Sequence, residues 1–556
     1  MSDGTIANPF SGRQRKRTWL ACLAIGGIAL AVYLRTMARV VVFGDSGELI
    51  TAVYLGSVAH PTGYPFYSIL GYSVTHILPF GSVAVRMNLL SAVIASAAVC
   101  AFYQLSLLIV RRRIIGAAAS LLLAFSITFW AQGVSAEVYG LHVLFVISVL
   151  TCLVRWDRDG NVRYLRFAAM LWGFSFTHHL TTLLLAPAVV YYVATSPYRR
   201  AVFRDLPSLA LLFCSPLVLY LYLPWASQRR PTWQFADIGS WPAFVDHVTG
   251  KLYHEKTGVP NLQAIWDRLL DFMGPLVHDE AGRRDRPAYL LSQFSVSILW
   301  LAPWGLYSLL WRRKRIFGLT FLLFLACVAW GMLYNIPDID EYYLPAYVMV
   351  ALWIACGTRS LGIVLARVWK RARVPAVSQR RLRRGYAVAS LGLGLMLMSL
   401  NWTANDLNRN DISGWLGVSL LDSLKPGAVY VCAGDQWVMP LIYPHFVEGC
   451  RPDVTIVPAF NFVLRGNAPL IDRLSHRGLY VPFHPGTRKW VGKTTRDNFA
   501  LFLKRNRDRV PLYIAGPRLE GLAINDPAVH DAAPVLERVG GNEPVYLVRS
   551  HRDAHK

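Results

Sequence analysis

Charge is what this sequence is short of. Only 16% of its 556 residues are Asp, Glu, Lys or Arg, against 54% hydrophobic ones, where soluble domains carry about a quarter charged residues. That shortage excludes an ordinary soluble globule. Acid is scarcest: 33 acidic residues face 57 basic ones, for a net charge of +24. Cysteine is sparse too, and Cys22, Cys100, Cys152, Cys214, Cys327 and Cys356 lie in apolar runs, where Cys acts as a small apolar residue. Cys432 and Cys450 fall at opposite edges of an expected βαβ unit, beyond the ~7 Å Cα reach of a bridge. No disulfide is expected. Internal repeats and low-complexity tracts are also missing.

The sequence is rich in apolar runs of membrane-spanning length. Spans are expected near 18–38, 87–110, 114–132, 137–154, 206–223, 289–310, 316–334, 342–365 and 385–403. The run 167–196, interrupted by Thr177-His178-His179, reads as two short helices meeting at an outer turn, for about 11 transmembrane helices. Segments 1–17, 111–113, 155–166, 197–205, 311–315 and 366–384 then share one side, with 26 Lys or Arg against four acids. Nearly all the net charge sits there. This is the positive-inside pattern, with the N-terminus cytoplasmic and the C-terminus outside, not a nucleic-acid footprint. The first span is too long for a signal-peptide core and lacks a small-residue cleavage site.

The expected architecture is a polytopic α-helical membrane domain, 1–404, with outer loops 39–86 and 224–288, followed by an extracytoplasmic α/β domain, 405–556. Strands are expected at 428–432, 454–457, 511–515 and 544–549, and helices at 436–446 and 496–507. The run Gly486 to Thr494 imitates a phosphate-binding loop but separates its glycines by five residues, where the motif needs four.

Chemistry-bearing residues collect on the outer side. Asp45 and Glu48, in Gly44-Asp45-Ser46-Gly47-Glu48, share a face if that segment is helical. They suit a general base, a divalent-metal pair or both, although solvated interfacial acids are common. Ala59 to Pro65 follows, where two prolines and a glycine within five residues fix a tight, irregular path that brings His60, with Tyr64 beside it, near the same surface. Arg86 opens the second span, placed either to snorkel or to grip a phosphate. Glu137 and Tyr139, the pair His178 and His179, and the acidic loop with Asp338, Asp340 and Tyr342 sit at outer ends. Such groups are costly there unless paired or lining a cavity. The acidic loop equally suits sugar hydroxyls, a metal or a solvated turn. Asp435 follows a strand, where α/β sheets tend to hold ligands.

These residues resemble a known family. Gly44-Asp45-Ser46-Gly47-Glu48 with Ala59-His60-Pro61-Thr62-Gly63-Tyr64-Pro65 is similar to the N-terminal signature of the uncharacterised-domain family 2723, whose eukaryotic relative is a transmembrane O-mannosyltransferase acting on plexin-type domains. Phe129-Trp130-Ala131-Gln132, Ala136-Glu137-Val138-Tyr139, His178-His179-Leu180-Thr181-Thr182 and Tyr334 through Tyr343 match further, as do Pro426-Gly427-Ala428, Gly434-Asp435 and Arg451-Pro452-Asp453-Val454. The resemblance implies a GT-C type glycosyltransferase of the bacterial inner membrane. A polyprenyl-phosphate sugar, with a mannose-like hexose among the candidates, would pass to a protein or glycan hydroxyl. It also implies Asp45 as the base, with Glu48 as its helper or a metal ligand. Beside that, Arg86 with His178 or His179 is the nearest set to face the leaving phosphate. The alternatives are a transporter or flippase of lipid-linked sugars and a sensory protein. The first would favour midplane ionisable groups and internal symmetry; the second leaves the outer polar cluster without a purpose.

Overall fold

The computed structural model describes residues 12–258, 260–273, 289–336, 338–409, 412–459, 468–484, 489–492, 494–516, 519, 535–538 and 545–549. Seven helices are long and apolar enough to cross a membrane: Lys16–Thr36, Val83–Val110, Tyr139–Asp159, Arg199–Gln228, Lys314–Leu333, Leu344–Arg371 and Ala376–Asn405. Each coincides with an expected span. The other four segments are broken or short. Arg113–Ala124 and Ile127–Val134 meet at 69°, and the histidine turn separates Val162–Phe176 from Leu180–Leu185 and Ala186–Ala194. The run 289–312 divides at Ser295, whose φ is +59°, into Tyr289–Phe294, Val296–Leu299 and Leu301–Arg312.

The first break has a polar cause. On the segment Ile127–Val134, Thr128 donates to Asp340 at 2.9 Å and Gln132 to Glu341 at 3.1 Å. From the broken run 289–312, Gln293 meets both the backbone and the hydroxyl of Thr128. Buried carboxylates need such partners, and a straight helix would not supply them. Apolar runs alone do not report this bend. The linkers 111–112, 160–161, 195–198 and 372–375, with the arginines and lysines that flank them, occupy one end of the bundle, and the outer loops the other.

Beyond Asn405, helix Ile412–Ser423 leads into a five-stranded sheet of order β2-β1-β5-β7-β6. β1 (Val429–Cys432) lies parallel to β2 (Thr455–Pro458) and β5 (Leu512–Ala515); β7 (Val545–Arg549) runs antiparallel to β5 and to β6 (Val535–Arg538). A hairpin pairs β3 (Phe483–His484) with β4 (Lys489–Trp490). β6, this hairpin and the helices Ile412–Ser423 and Ala468–His476 were not expected from the sequence. All eight cysteines are free. Of the run 486–494, residues 486–488 and 493 lie outside the described residues.

β1 is buried on both faces, as parallel strands covered on both sides must be. Val429 and Val431 face a core with Phe499, Phe502 and Leu503. Tyr430 and Cys432 face the helix Asp435–Phe446 and join the same apolar core as the membrane helices. The sheet region is therefore continuous with the membrane bundle on one of its faces.

Candidate functional site

The site starts where the first span ends. Gly44 takes φ +91°, a conformation glycine adopts without strain, and Asp45 caps the short helix Ser46–Leu55 without using its side chain. That leaves the carboxylate free for other work. Its side chain keeps 37% of its surface open. Burial raises the Asp45 carboxyl above the usual range, His60 and Lys256 oppose the rise, and Glu48 and Asp338 add to it.

Glu48, one helical turn on, is fully buried. One oxygen accepts the His60 backbone N–H at 3.0 Å and the other meets His60 Nδ1 at 2.7 Å. The far ring nitrogen, Nε2, lies 2.9 Å from the Tyr64 hydroxyl and 3.6 Å from the Asp45 carboxylate. Burial alone would lower the His60 pKa, but Asp45 and Glu48 overcome it and hold it up to about 9. His60 is thus an imidazolium at neutral pH, gripped by one carboxylate and presented to the other. Both Glu48 oxygens are thus engaged with His60.

Tyr64 holds φ +43°, costly for a tyrosine. Its hydroxyl on His60 and its ring stacked on His179, centroids 5.9 Å apart, hold it there. Gly63 has φ +84°, and a Cβ there would meet Leu223 and His247. His179 also packs against Tyr139 and Tyr342, while the two tyrosines meet edge-to-face at 5.4 Å. Glu137 is close enough to feel Asp45, Asp338 and His60; burial pushes its carboxyl well up, and the two acids push further. Glu341 rises likewise, through burial and then Glu137.

Two sequence expectations change here. Arg86 donates to the carbonyls of Phe80 at 3.0 Å and Gly81 at 2.9 Å, and to that of Thr75. It fastens the turn after the helix Pro65–Ile77, and no cluster residue is among its partners. His178 and His179 are buried, and burial lowers both pKa values, His178 to about 4. Asp340 is held by Thr128, and Asp338 is exposed at the rim. Asp435 opens the helix Asp435–Phe446, and its side chain lies outside the described residues. Among the described residues no three His, Cys, Asp or Glu are grouped to hold a metal ion.

Sequence reading missed three contributors. Lys256 and Tyr253, from the second outer loop, come within electrostatic reach of Asp45. Backbone bonds from Asn335 to Lys256 and from Gly258 to Leu333 tie that loop to the acidic one. Neither residue stands in a motif, so pattern alone had no purchase. The third is Gly47, between the two carboxylates. A Cβ there would approach the Met439 carbonyl carbon to 2.9 Å and its oxygen more closely still. The helix Asp435–Phe446 thus lies backbone to backbone on the helix Ser46–Leu55, and Tyr443 accepts the Ala84 N–H at 3.3 Å.

Fold and site together define a polytopic membrane protein of GT-C-like architecture. The fold matches the crystal structure of ArnT from Cupriavidus metallidurans in the apo state, with a TM-score of 0.55 over 96% of this chain and 98% of that one, at 14% identity. Residues 45–202 match the family model described as the Protein O-mannosyl-transferase TMEM260 N-terminal domain. The chain is 26% identical over 483 residues to Protein O-mannosyl-transferase TMEM260 of Mus musculus, covering 82% of this chain and 65% of that one. It is 23% identical to the protein of the same name from Dictyostelium discoideum, covering 90% and 64%. The chain is thus similar to these O-mannosyl-transferases over most of its own length, and it spans slightly under two thirds of the length of these curated relatives.

Proposed function

We propose that this integral membrane protein is a glycosyltransferase that moves a sugar from a polyprenyl-phosphate donor to a hydroxyl of a protein or glycan acceptor on the extracytoplasmic face. The observation that carries this reading is the chain Glu48–His60–Asp45, in which an accessible carboxylate faces a buried, charged imidazole. It stands at the end of the bundle opposite the basic linkers. Asp45 takes the acceptor's proton as the acceptor oxygen bonds to the anomeric carbon. The bond from that carbon to the phosphate oxygen breaks, and polyprenyl phosphate leaves with the electron pair. Phosphate is already a good leaving group, so no strong general acid is required. Lys256 and His60 supply the positive charge for it, in place of Arg86. The relatives' names support a mannose-like sugar, and the basic linkers support a cytoplasmic N-terminus in a bacterial inner membrane.

The test is purified protein with labelled polyprenyl-phosphate sugars, followed by a search for labelled protein or glycan. Asp45→Asn should lose about 10²–10⁴ in rate while inserting normally. Near wild-type transfer by that variant, or labelling of position 45 from the cytosolic side, would end this reading.

A further inference from the structure

At the opposite end of the bundle lies a second concentration of charge that the transfer reaction does not use. A pocket there is lined by Ser308, Arg312, Arg313, Arg359 and Ser360, between the helices Val83–Val110, Leu301–Arg312 and Leu344–Arg371. Arg359 falls inside an expected span, where an ionisable side chain normally pairs with an opposite charge. Here it does not. The charges near enough to act on it are Arg112, Arg312 and Arg111, and its buried Nε has no hydrogen-bond partner. Arg313 donates to the Ile109 carbonyl at 2.7 Å and faces Arg111 and Arg359.

The acids at this end are already engaged. Asp157 pairs with Arg315, Asp205 with Arg166, and Asp159 with Arg158. Among the described residues none forms an ion pair with Arg312, Arg313 or Arg359. Loop arginines that serve topology alone extend into water. A guanidinium enclosed by other guanidiniums, with a donor unspent, instead costs free energy until an anion joins it. Arginine forks suit phosphate oxygens, and Ser360 donates to Ser308 at 3.0 Å, which leaves the Ser308 hydroxyl proton as a further donor. Basic pockets between membrane helices at headgroup depth hold phosphate headgroups.

We propose that this pocket binds a phosphate group, carried by an anionic lipid of the adjoining leaflet or free in solution. The site stands apart from the carboxylate cluster and does not depend on the transfer reading.

The experiment measures retention of phosphatidylglycerol by purified full-length protein during delipidation, using native mass spectrometry. In parallel, the thermal midpoint is followed with inorganic phosphate against chloride at equal ionic strength. Wild type should retain phosphatidylglycerol, and Arg359→Gln should weaken retention about tenfold or more. Arg359→Lys should fall between, and the exposed Arg367→Gln on the same helix should behave as wild type. Arg312→Gln, at the exposed mouth, repeats the test should Arg359→Gln fail to fold. Stabilisation by inorganic phosphate, lost in the pocket variants and without lipid retention, would identify the free anion as the source. Equal lipid retention and equal phosphate response in wild type and pocket variants, or equal losses in Arg367→Gln, would overturn the proposal.

Discussion

Replacing Glu48 with Gln keeps the side chain's shape and removes the charge that holds His60. The rise of His60 from 6.5 to about 9 corresponds to roughly 3 kcal/mol in favour of the charged ring. Asp45 and Glu48 share that gain, and burial opposes it. Because the folded-state pKa is the raised one, this stabilisation is complete below pH 6.5 and is lost as pH climbs through about 9. In Glu48→Gln the His60 pKa should fall back toward 6.5. The alkaline limb of the transfer-rate profile, which follows loss of the His60 charge, therefore moves down. The assay is initial transfer rate from pH 5 to 10, with thermal unfolding in detergent at pH 6 and pH 10. Wild type should lose more stability across that interval than the variant. A variant profile that superimposes on wild type after uniform scaling would refute the reasoning and leave Glu48 as packing alone.

The remaining expectations follow from the same geometry. Gly47→Ala forces the Met439 carbonyl away, so transfer should fall by about tenfold or more, while Gly27→Ala, with nothing near its Cβ, serves as a kinetic control with an unchanged rate. Arg86→Gln should cost about 1–3 kcal/mol in thermal unfolding without altering the donor KM, since its partners are backbone carbonyls; a raised donor KM would return Arg86 to the site. Lys256→Gln should lower kcat/KM by about tenfold and flatten its dependence on salt, and unchanged kinetics would remove Lys256 from the account.

Much of this molecule was legible as pattern. Seven spans, the basic end, the position of the carboxylates at the other end and six elements of the C-terminal region follow from apolar runs and turn residues, which are properties of neighbours along the chain. The pairing of Asp45 and Glu48 with His60 was legible as proximity, through the turns that return 59–65 to the same surface. The roles were not. Whether a carboxylate is spent or free depends on partners distant in sequence, and only the fold set Glu48 entirely onto His60 and left Asp45 open. The same holds for Arg86, whose place at the end of a span left snorkelling and phosphate binding both open, and whose guanidinium the fold sets on three carbonyls.

Sequence by itself determined a membrane-embedded, polytopic chain with its charge sorted by side, because the cost of taking polar groups into lipid acts on composition directly. Tertiary structure alone decided the bend at Ile127, the arrival of Tyr253 and Lys256 beside Asp45, and the seating of the helix Asp435–Phe446 against Gly47. Each is a contact between segments that local pattern leaves independent, and close packing permits only one arrangement of them.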